Sequence, residues 1–256
     1  MKNIKKVFLD LRRKILKFTI PEFFWPKYVS IDDVKFKLRN TPYSFGVKWE
    51  IFKGGYEVAE RFLLKDQIIE GDTIIEMGGS IGVVTALLQN MTGKKGFVVS
   101  IEASLVLSDY SRSWLESDNT KIIHGYGFPV NKLEKSINVL EFDEPGASLG
   151  GNVIYEIPNE KNENENEKIP EGVYDINKVC NQYDIVPTVL MIDIEGSEKI
   201  LLSQKPKFPN SIRIIIIELH LQFYSIEDLN LIVQYIIDDG FVIVKQVDQS
   251  YLFSRR

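Results

Sequence analysis

Two groups of acidic residues stand where this sequence passes from apolar runs into glycine. In the first, Glu76 lies near the end of Thr73-Ile-Ile-Glu-Met77 and Gly78-Gly-Ser-Ile-Gly82 follows. The glycines permit a tight turn and let a ligand approach the backbone. A helix opening at Val83 aims unpaired N–H groups at whatever sits above the strand end. A carboxylate before such a turn repels a pyrophosphate and can accept from an ammonium group. In the second group, Asp193 and Glu195 end the run from Thr188, and Glu218-Leu-His220 ends the run from Ile212. Residues two apart on a strand share a face. Carboxylates in apolar strands carry a desolvation cost unless something pairs with them. If the two strands are neighbours, Asp193, Glu195, Glu218 and His220 converge on one crevice.

Spacing narrows the chemistry of the first group. A dinucleotide fingerprint needs G-x-G-x-x-G, but Ser80 holds the second glycine position and Gly82 comes too early for the third. A P-loop needs G-K-[S/T], which is absent. A second apolar run, Gly96 to Glu102, ends in an acid roughly 20 residues after the turn. A carboxylate at the tip of the adjacent strand can accept both hydroxyls of a ribose. Each feature also has a plainer reading: a glycine turn of some other α/β protein, a solvated strand-end charge, or a Glu218–His220 pair that supports the sheet.

Glu76-x-Gly78-x-x-x-Gly82 resembles motif I of the class I S-adenosylmethionine (SAM) methyltransferases, whose acid lies near the methionine end of the cofactor. Asp193-Ile-Glu-Gly-Ser-Glu198, with Glu218-Leu-His220 downstream, resembles the FkbM family of SAM-dependent methyltransferases. The resemblance covers about Tyr56 to His220. It implies a Rossmann-like α/β sheet of seven strands, six parallel and one antiparallel, with helices on both faces. It implies methylation of a hydroxyl on a sugar, glycan or related small molecule. Glu76, Gly78, Gly79, Ser80, Gly82, Glu102, Ala103 and Gly125 would hold SAM. Asp193, Glu195 and His220 would be catalytic, between cofactor and acceptor. The family's turn usually carries aspartate and alanine-asparagine, where this chain has Glu76 and Gly79-Ser80. Met191 stands where lysine is frequent, and Ile176-Asn177 where Leu-Asp is common.

Methyl transfer to a hydroxyl needs alignment of the reactants and a proton acceptor. Asp193 and His220 are the candidate bases. No metal ligand set is assigned, although a divalent cation on Asp193, Glu195 and Glu218 would lower a hydroxyl's pKa. The competing readings are a SAM-binding protein without transferase activity and a nucleotide-dependent enzyme on a related sheet.

The elements that must position these residues alternate strand and helix from Asp72 onward, which implies a mostly parallel sheet. Helices are expected over Ser104–Glu116, Lys199–Ser203 and Ile226–Ile237, and strands over Lys121–Ile123 and Asn152–Ile157. Val173–Tyr183 reads as a strand into a short helix, and Gly240 to Phe253 as two closing strands. The end of the third core strand, His124-Gly-Tyr-Gly127, faces the same crevice. Val47–Gln67 has helical spacing broken at Gly54-Gly55, after which Tyr56 and Glu57 either cover the cofactor or are ordinary surface residues. Val34, Phe36 and Leu38 alternate as a short strand. Asn159 to Lys168 is polar and of low complexity, a solvated loop within 158–170.

The 256 residues suit a small N-terminal piece, 1–45, and one domain, 46–256. A 44% apolar content sustains a sizeable core. Cys180 is the only cysteine, so neither an intramolecular disulfide nor a Cys-based structural zinc site can form. The net charge of −5 argues against nucleic acid as the main partner. No apolar run approaches the roughly 18 residues of a membrane span, and the composition fits the cytoplasm. Residues Met1 to Phe18 carry Lys2, Lys5, Lys6, Arg12, Arg13, Lys14 and Lys17 opposite Ile4, Val7, Phe8, Leu11, Ile15 and Phe18. Such a helix lies on an anionic membrane surface, at the inner face of the membrane, or docks on its own domain or a second copy in a homo-oligomer.

Overall fold

The computed structural model describes residues 21–133, 138–143, 152–156, 171–204 and 207–256, the second and third of these as backbone. The expected N-terminal helix and the polar loop lie outside these residues. The chain divides into two compact units, Met1–Tyr56 and Glu57–Arg256.

In the first unit, β1 (Tyr28–Ile31) and β2 (Val34–Lys37) form an antiparallel hairpin. Asp32 and Asp33 turn it with φ of 45° and 65°, the left-handed pair that matches strand twist. Ser44 caps α1 (Phe45–Lys53), and Gly54 ends it at φ 72°. Trp25, Ile31, Phe36, Leu38 and Ile51 are buried. Lys48, also buried, pairs with Glu22, and the Arg39 guanidinium donates to the carbonyl of Trp25.

The second unit opens with α2 (Val58–Leu64) and then alternates. The order is β3 (Thr73–Met77), α3 (Val83–Thr92), β4 (Phe97–Glu102), α4 (Leu105–Leu115), β5 (Thr120–His124), β6 (Tyr126–Gly127), β7 (Asn138–Asp143), β8 (Asn152–Glu156), β9 (Val173–Tyr174) and α5 (Ile176–Tyr183). There follow β10 (Val189–Ile192), α6 (Ile200–Ser203), β11 (Ile214–Glu218), α7 (Ile226–Asp238), β12 (Phe241–Val247) and β13 (Ser250–Arg255). Seven strands make one sheet in the order β12-β13-β11-β10-β3-β4-β5, in which β13 runs opposite to the other six. The short β6–β9 and β7–β8 pairs lie outside it. This is the class I, Rossmann-like sheet.

The inner strands β3, β4, β10 and β11 are apolar along almost their whole length because both faces are covered, whereas the edge strand β12 is largely exposed. Ile75, Met77, Val99, Ile101, Leu190, Ile192, Ile215 and Ile217 face a core shared with α5, α6 and α7. Ile74, Val98, Val189, Met191, Ile214 and Ile216 face a core shared with α2 and α3. Below the sheet, Asp72 accepts from the Ile69 N–H (2.8 Å) and the Thr188 hydroxyl (2.7 Å), and it pairs with Arg213. That network ties the starts of β3, β10 and β11 together. Among the described residues, no helix is long and apolar enough to cross a membrane.

Candidate active site at the switch point of the sheet

Chain order reverses between β3 and β10: β4 and β5 lie to one side of β3, β10 and β11 to the other. Ligands of open α/β sheets bind outside the carboxyl ends of the strands at such a point. Both acidic groups end there.

The glycine turn is packed against its neighbours. Gly78 has φ 92°, and a β-carbon on it would lie 1.6 Å from the Asp193 carbonyl oxygen. The N–H of Asp193 donates to the carbonyl of Met77 (2.8 Å). Gly78 therefore serves the close approach of two backbones, beyond the ligand access expected from its type. A β-carbon on Gly79 would lie 2.0 Å from the Ser100 hydroxyl. Ser80 adopts φ 46° without being glycine, a strained conformation of the kind that collects at binding sites. Gly82, at φ 82°, opens α3 with no side-chain cap, whereas Ser104, Asp175 and Ser225 cap α4, α5 and α7. The first-turn N–H groups of α3 are thus not satisfied by a capping side chain.

Glu76 lies beneath this turn at 1% exposure, on the face that α3 covers. Met191 and Ser100 flank it in register. The Thr85 hydroxyl donates to Glu76 Oε2 at 2.5 Å, and Ser100 also donates to the carboxyl. Burial raises its pKa to about 7; the two hydroxyls oppose that rise and the charge of Glu102 adds to it.

Glu102, at the tip of β4, accepts the N–H of Ser80 on Oε2 and that of Ser104 on Oε1, both at 2.7 Å. Its carboxylate clasps the glycine turn to the start of α4. The carbonyl of Glu102 accepts the Gly125 N–H (2.9 Å). A β-carbon on Gly125 would meet the Tyr174 ring at 2.5 Å and the Gly172 carbonyl at 2.6 Å, so glycine there makes room for the β6–β9 pair. The Ala103 carbonyl lies 3.1 Å from Nε2 of His124, which is exposed.

The second group gathers around His220. Its Nε2 is 3.4 Å from Asp193 Oδ1, 3.6 Å from Glu195 Oε2 and 3.9 Å from Glu218 Oε2. Its Nδ1 is 3.1 Å from Oε1 of Glu198. Glu198 is fully buried and also accepts the N–H groups of Gly196 (2.8 Å) and Ile194 (3.3 Å). The turn that delivers these acids has Glu195 at φ 48° and Gly196 at φ 98°. Gly196 has no space for a side chain, since a β-carbon would lie 2.6 Å from the Phe223 ring. Gln222 donates to Glu195 Oε2 (3.2 Å). Glu57, at φ 48° before α2, brings one more carboxylate to Asp193 and Glu218; the three offer oxygens within 4.8 Å of one another.

These acids raise one another's pKa. Burial pushes Asp193 well above the usual carboxylate range, and the charges of Glu57, Glu218, Glu195 and Glu60 add to it. Glu218 is raised to about 7 by burial and by Glu60, with His220 opposing. Glu195 is raised by burial, against His220. For His220, burial disfavours the charge, but the hydrogen bond and charge of Glu198 and the charges of Glu195 and Glu218 outweigh it and lift the pKa to about 9. Without another cation present, His220 is an imidazolium at neutral pH and donates rather than accepts.

The expected residues thus fall into two adjoining sets joined at Gly78 and Asp193. Glu198, which fixes the His220 ring, was assigned no role from sequence. Its signal was an acid three residues beyond Glu195, placed to reach back to the N–H groups of the turn it follows.

The family model for protein-L-isoaspartate(D-aspartate) O-methyltransferase (PCMT) matches residues 55–131, which hold the glycine turn, Glu76 and Glu102. No curated protein matches the sequence. Similar solved structures include the Methanococcus jannaschii fibrillarin pre-rRNA processing protein, at 16% identity over 93% of this chain and 85% of that one, TM-score 0.44. Another is Aeropyrum pernix fibrillarin with natively bound S-adenosyl-L-methionine, at 11% identity over 93% and 85%, TM-score 0.42. A third is a TehB-like SAM-dependent methyltransferase from Corynebacterium glutamicum, at 10% identity over 83% and 96%, TM-score 0.44. The strand order of this chain's own sheet, with the family match over residues 55–131, gives it the class I fold of the SAM-dependent methyltransferases.

Proposed function

We propose that this protein is a SAM-dependent O-methyltransferase acting on a hydroxyl of a sugar, glycan or related small molecule, as its resemblance to the FkbM family implies. The observation that carries the reading is the contact of Gly78 with the Asp193 carbonyl. It sets the turn that would cradle the cofactor directly against the acids that would receive the acceptor.

The residues fit the cofactor. Glu102 stands at the tip of β4 with its carboxylate fixed by two backbone N–H groups, ready to accept from ribose hydroxyls. The turn Gly78–Gly82 leads into a helix without a side-chain cap. Glu76, Ala103 and Gly125 complete the set assigned to the cofactor, with Glu76 behind the turn. SAM, when bound, supplies a methyl group already activated on a sulfonium. The chain's own residues then orient the acceptor and take its proton. Asp193, closest to the turn and raised in pKa, is the proton acceptor. Glu195 and His220 hold the acceptor oxygen beside it.

The test is transfer of label from methyl-labelled SAM to a panel of sugars and glycans, alongside calorimetry with S-adenosylhomocysteine. Label in an acceptor supports the reading. Homocysteine-adduct binding with no transfer to any acceptor favours a SAM-binding protein, and binding of NAD in its place favours a nucleotide-dependent enzyme.

A further inference from the structure

We propose that the carboxylates and imidazole at the ends of β10 and β11 bind a divalent first-row metal cation, held by Asp193, Glu195 and His220. Glu218 and Glu57 stand on the side of the site nearest Asp193. The proposal rests on the methyltransferase reading for its purpose, but not for its geometry.

Ligand atoms of Asp193, Glu195 and His220 all lie within 4.8 Å of one another, as do those of Glu57, Asp193 and Glu218. The two trios share Asp193. The separations from His220 Nε2, 3.4 Å to Asp193 and 3.6 Å to Glu195, exceed the roughly 2.7–3.2 Å of a hydrogen bond. They approach the roughly 3.0–3.4 Å between ligand atoms that each sit about 2.0–2.2 Å from one ion. No described lysine or arginine pairs with Asp193, Glu195 or Glu218.

A second observation comes from the far side of the imidazole. Nδ1 faces Oε1 of Glu198 at 3.1 Å, and Glu198 is fully buried and held by two backbone N–H groups. A carboxylate behind a histidine fixes ring and tautomer, the arrangement that supports metal-bound histidines. With a cation in place the Nδ1 proton stays toward Glu198 and Nε2 offers its lone pair to the ion; oxygens of Asp193, Glu195 and Glu218 lie 3.4, 3.6 and 3.9 Å from that nitrogen. Something positive belongs between them. Oxygen donors with one imidazole suit Mn²⁺ and Zn²⁺ better than a soft ion.

Such a cation would bind the acceptor's oxygen and lower its pKa. The class of acceptor follows: a hydroxyl with a neighbouring oxygen able to chelate, such as a vicinal diol. With Asp193 engaged by the cation, Glu218, which lies outside the first trio, takes over from it as acceptor of the hydroxyl proton. The O–C bond forms as the C–S bond of the donor breaks, and the sulfonium leaves as a neutral thioether, so charge and electrons balance.

Mn²⁺ is the probe. Chelator-treated full-length protein is titrated with Mn²⁺ and free ion is followed by electron paramagnetic resonance. One specific site is expected, weakened at least ~10-fold in Glu195→Gln and in Glu198→Gln, and unchanged in Glu70→Gln. The sequence holds only two histidines, His124 and His220. Electron spin echo modulation from an imidazole ¹⁴N on the bound Mn²⁺ is therefore expected in wild type and retained in His124→Gln. No saturable Mn²⁺ binding to wild type, or no ¹⁴N modulation, overturns the proposal even if the variants fail to fold. S-adenosylhomocysteine binding is measured on the same samples. Its presence without Mn²⁺ binding removes the metal alone, and its absence removes the methyltransferase reading.

Discussion

The α-carbon of Gly78 packs so closely on the carbonyl of Asp193 that a β-carbon would come within 1.6 Å of that oxygen. One backbone contact thereby sets the distance between the glycine turn and the acidic cluster. Gly78→Ala adds this clash to a φ of 92°. It is expected to cost about 2–4 kcal/mol of folding free energy, read by urea denaturation. Transfer activity should fall with it, and a stable variant of full activity would show that the two sets are not coupled through this point.

Asp193→Asn keeps the backbone contact and removes the carboxylate. The transfer rate should drop by about 10²- to 10⁴-fold, with the affinity for S-adenosylhomocysteine nearly intact. Single-turnover kinetics with labelled SAM checks this, and unchanged turnover would remove Asp193 from the mechanism.

Stability should depend on pH through groups that hold protons more tightly when folded. Glu76 rises from 4.5 to about 7 on folding and His220 from 6.5 to about 9. In both cases the folded chain binds more protons than the unfolded one across the interval. Their contributions are complete below pH 4.5 and 6.5 respectively, and are lost as pH rises through 7 and 9. Glu76→Gln should therefore flatten the fall in stability between pH 4.5 and 7, by an amount of order 3 kcal/mol. Urea melts of both proteins at pH 5 and pH 8 measure it; the same slope in both would show that Glu76 titrates normally.

Glu102→Ala unclasps the Ser80 and Ser104 N–H groups. Two charge-assisted hydrogen bonds are lost, about 3–6 kcal/mol in total if both go unreplaced. Cofactor affinity should fall by more than the ~10-fold of one lost hydrogen bond, while Glu102→Gln, which keeps one acceptor, should lie between. Differential scanning fluorimetry with and without S-adenosylhomocysteine separates the two effects.

Phe23 and Phe24 are each 67% exposed, while the neighbouring Trp25 is buried. If they and the basic N-terminal segment meet an anionic membrane, the full chain should sediment with phosphatidylserine vesicles and a chain lacking residues 1–25 should not. Equal sedimentation of the two would leave docking on protein as the reading of that segment.

The sheet was legible because its inner strands are buried on both faces. Almost uninterrupted β-branched runs such as Ile212 to Ile217, broken only by Arg213, have few other homes, and positive-φ glycines mark turns such as those at Gly78 and Gly196. The pairs Asp193/Glu195 and Glu218/His220 come together, but not by the strand period expected of them: β10 ends at Ile192 and β11 at Glu218, and Glu195 stands in a turn at φ 48°. What lay beyond sequence was convergence across elements. Glu57 precedes the sheet and reaches Asp193 only through the position of α2. Glu198 looked like any helix-opening acid, yet it is the buried partner of a histidine 22 residues on. The surroundings of His220, read as a candidate base, were also hidden: three carboxylates from separate elements lift its pKa to about 9. Glycines 78 and 125 were read for a ligand, although each also makes room for the protein's own backbone or ring.

The central claim is that the glycine turn and Glu102 hold a sulfonium nucleoside beside Asp193. Isothermal titration of the full chain with S-adenosylhomocysteine tests it most directly. The expected result is one site, lost or at least ~10-fold weaker in Glu102→Ala and kept in Asp193→Asn. No binding by the wild-type chain, or binding that Glu102→Ala leaves unchanged, would contradict it.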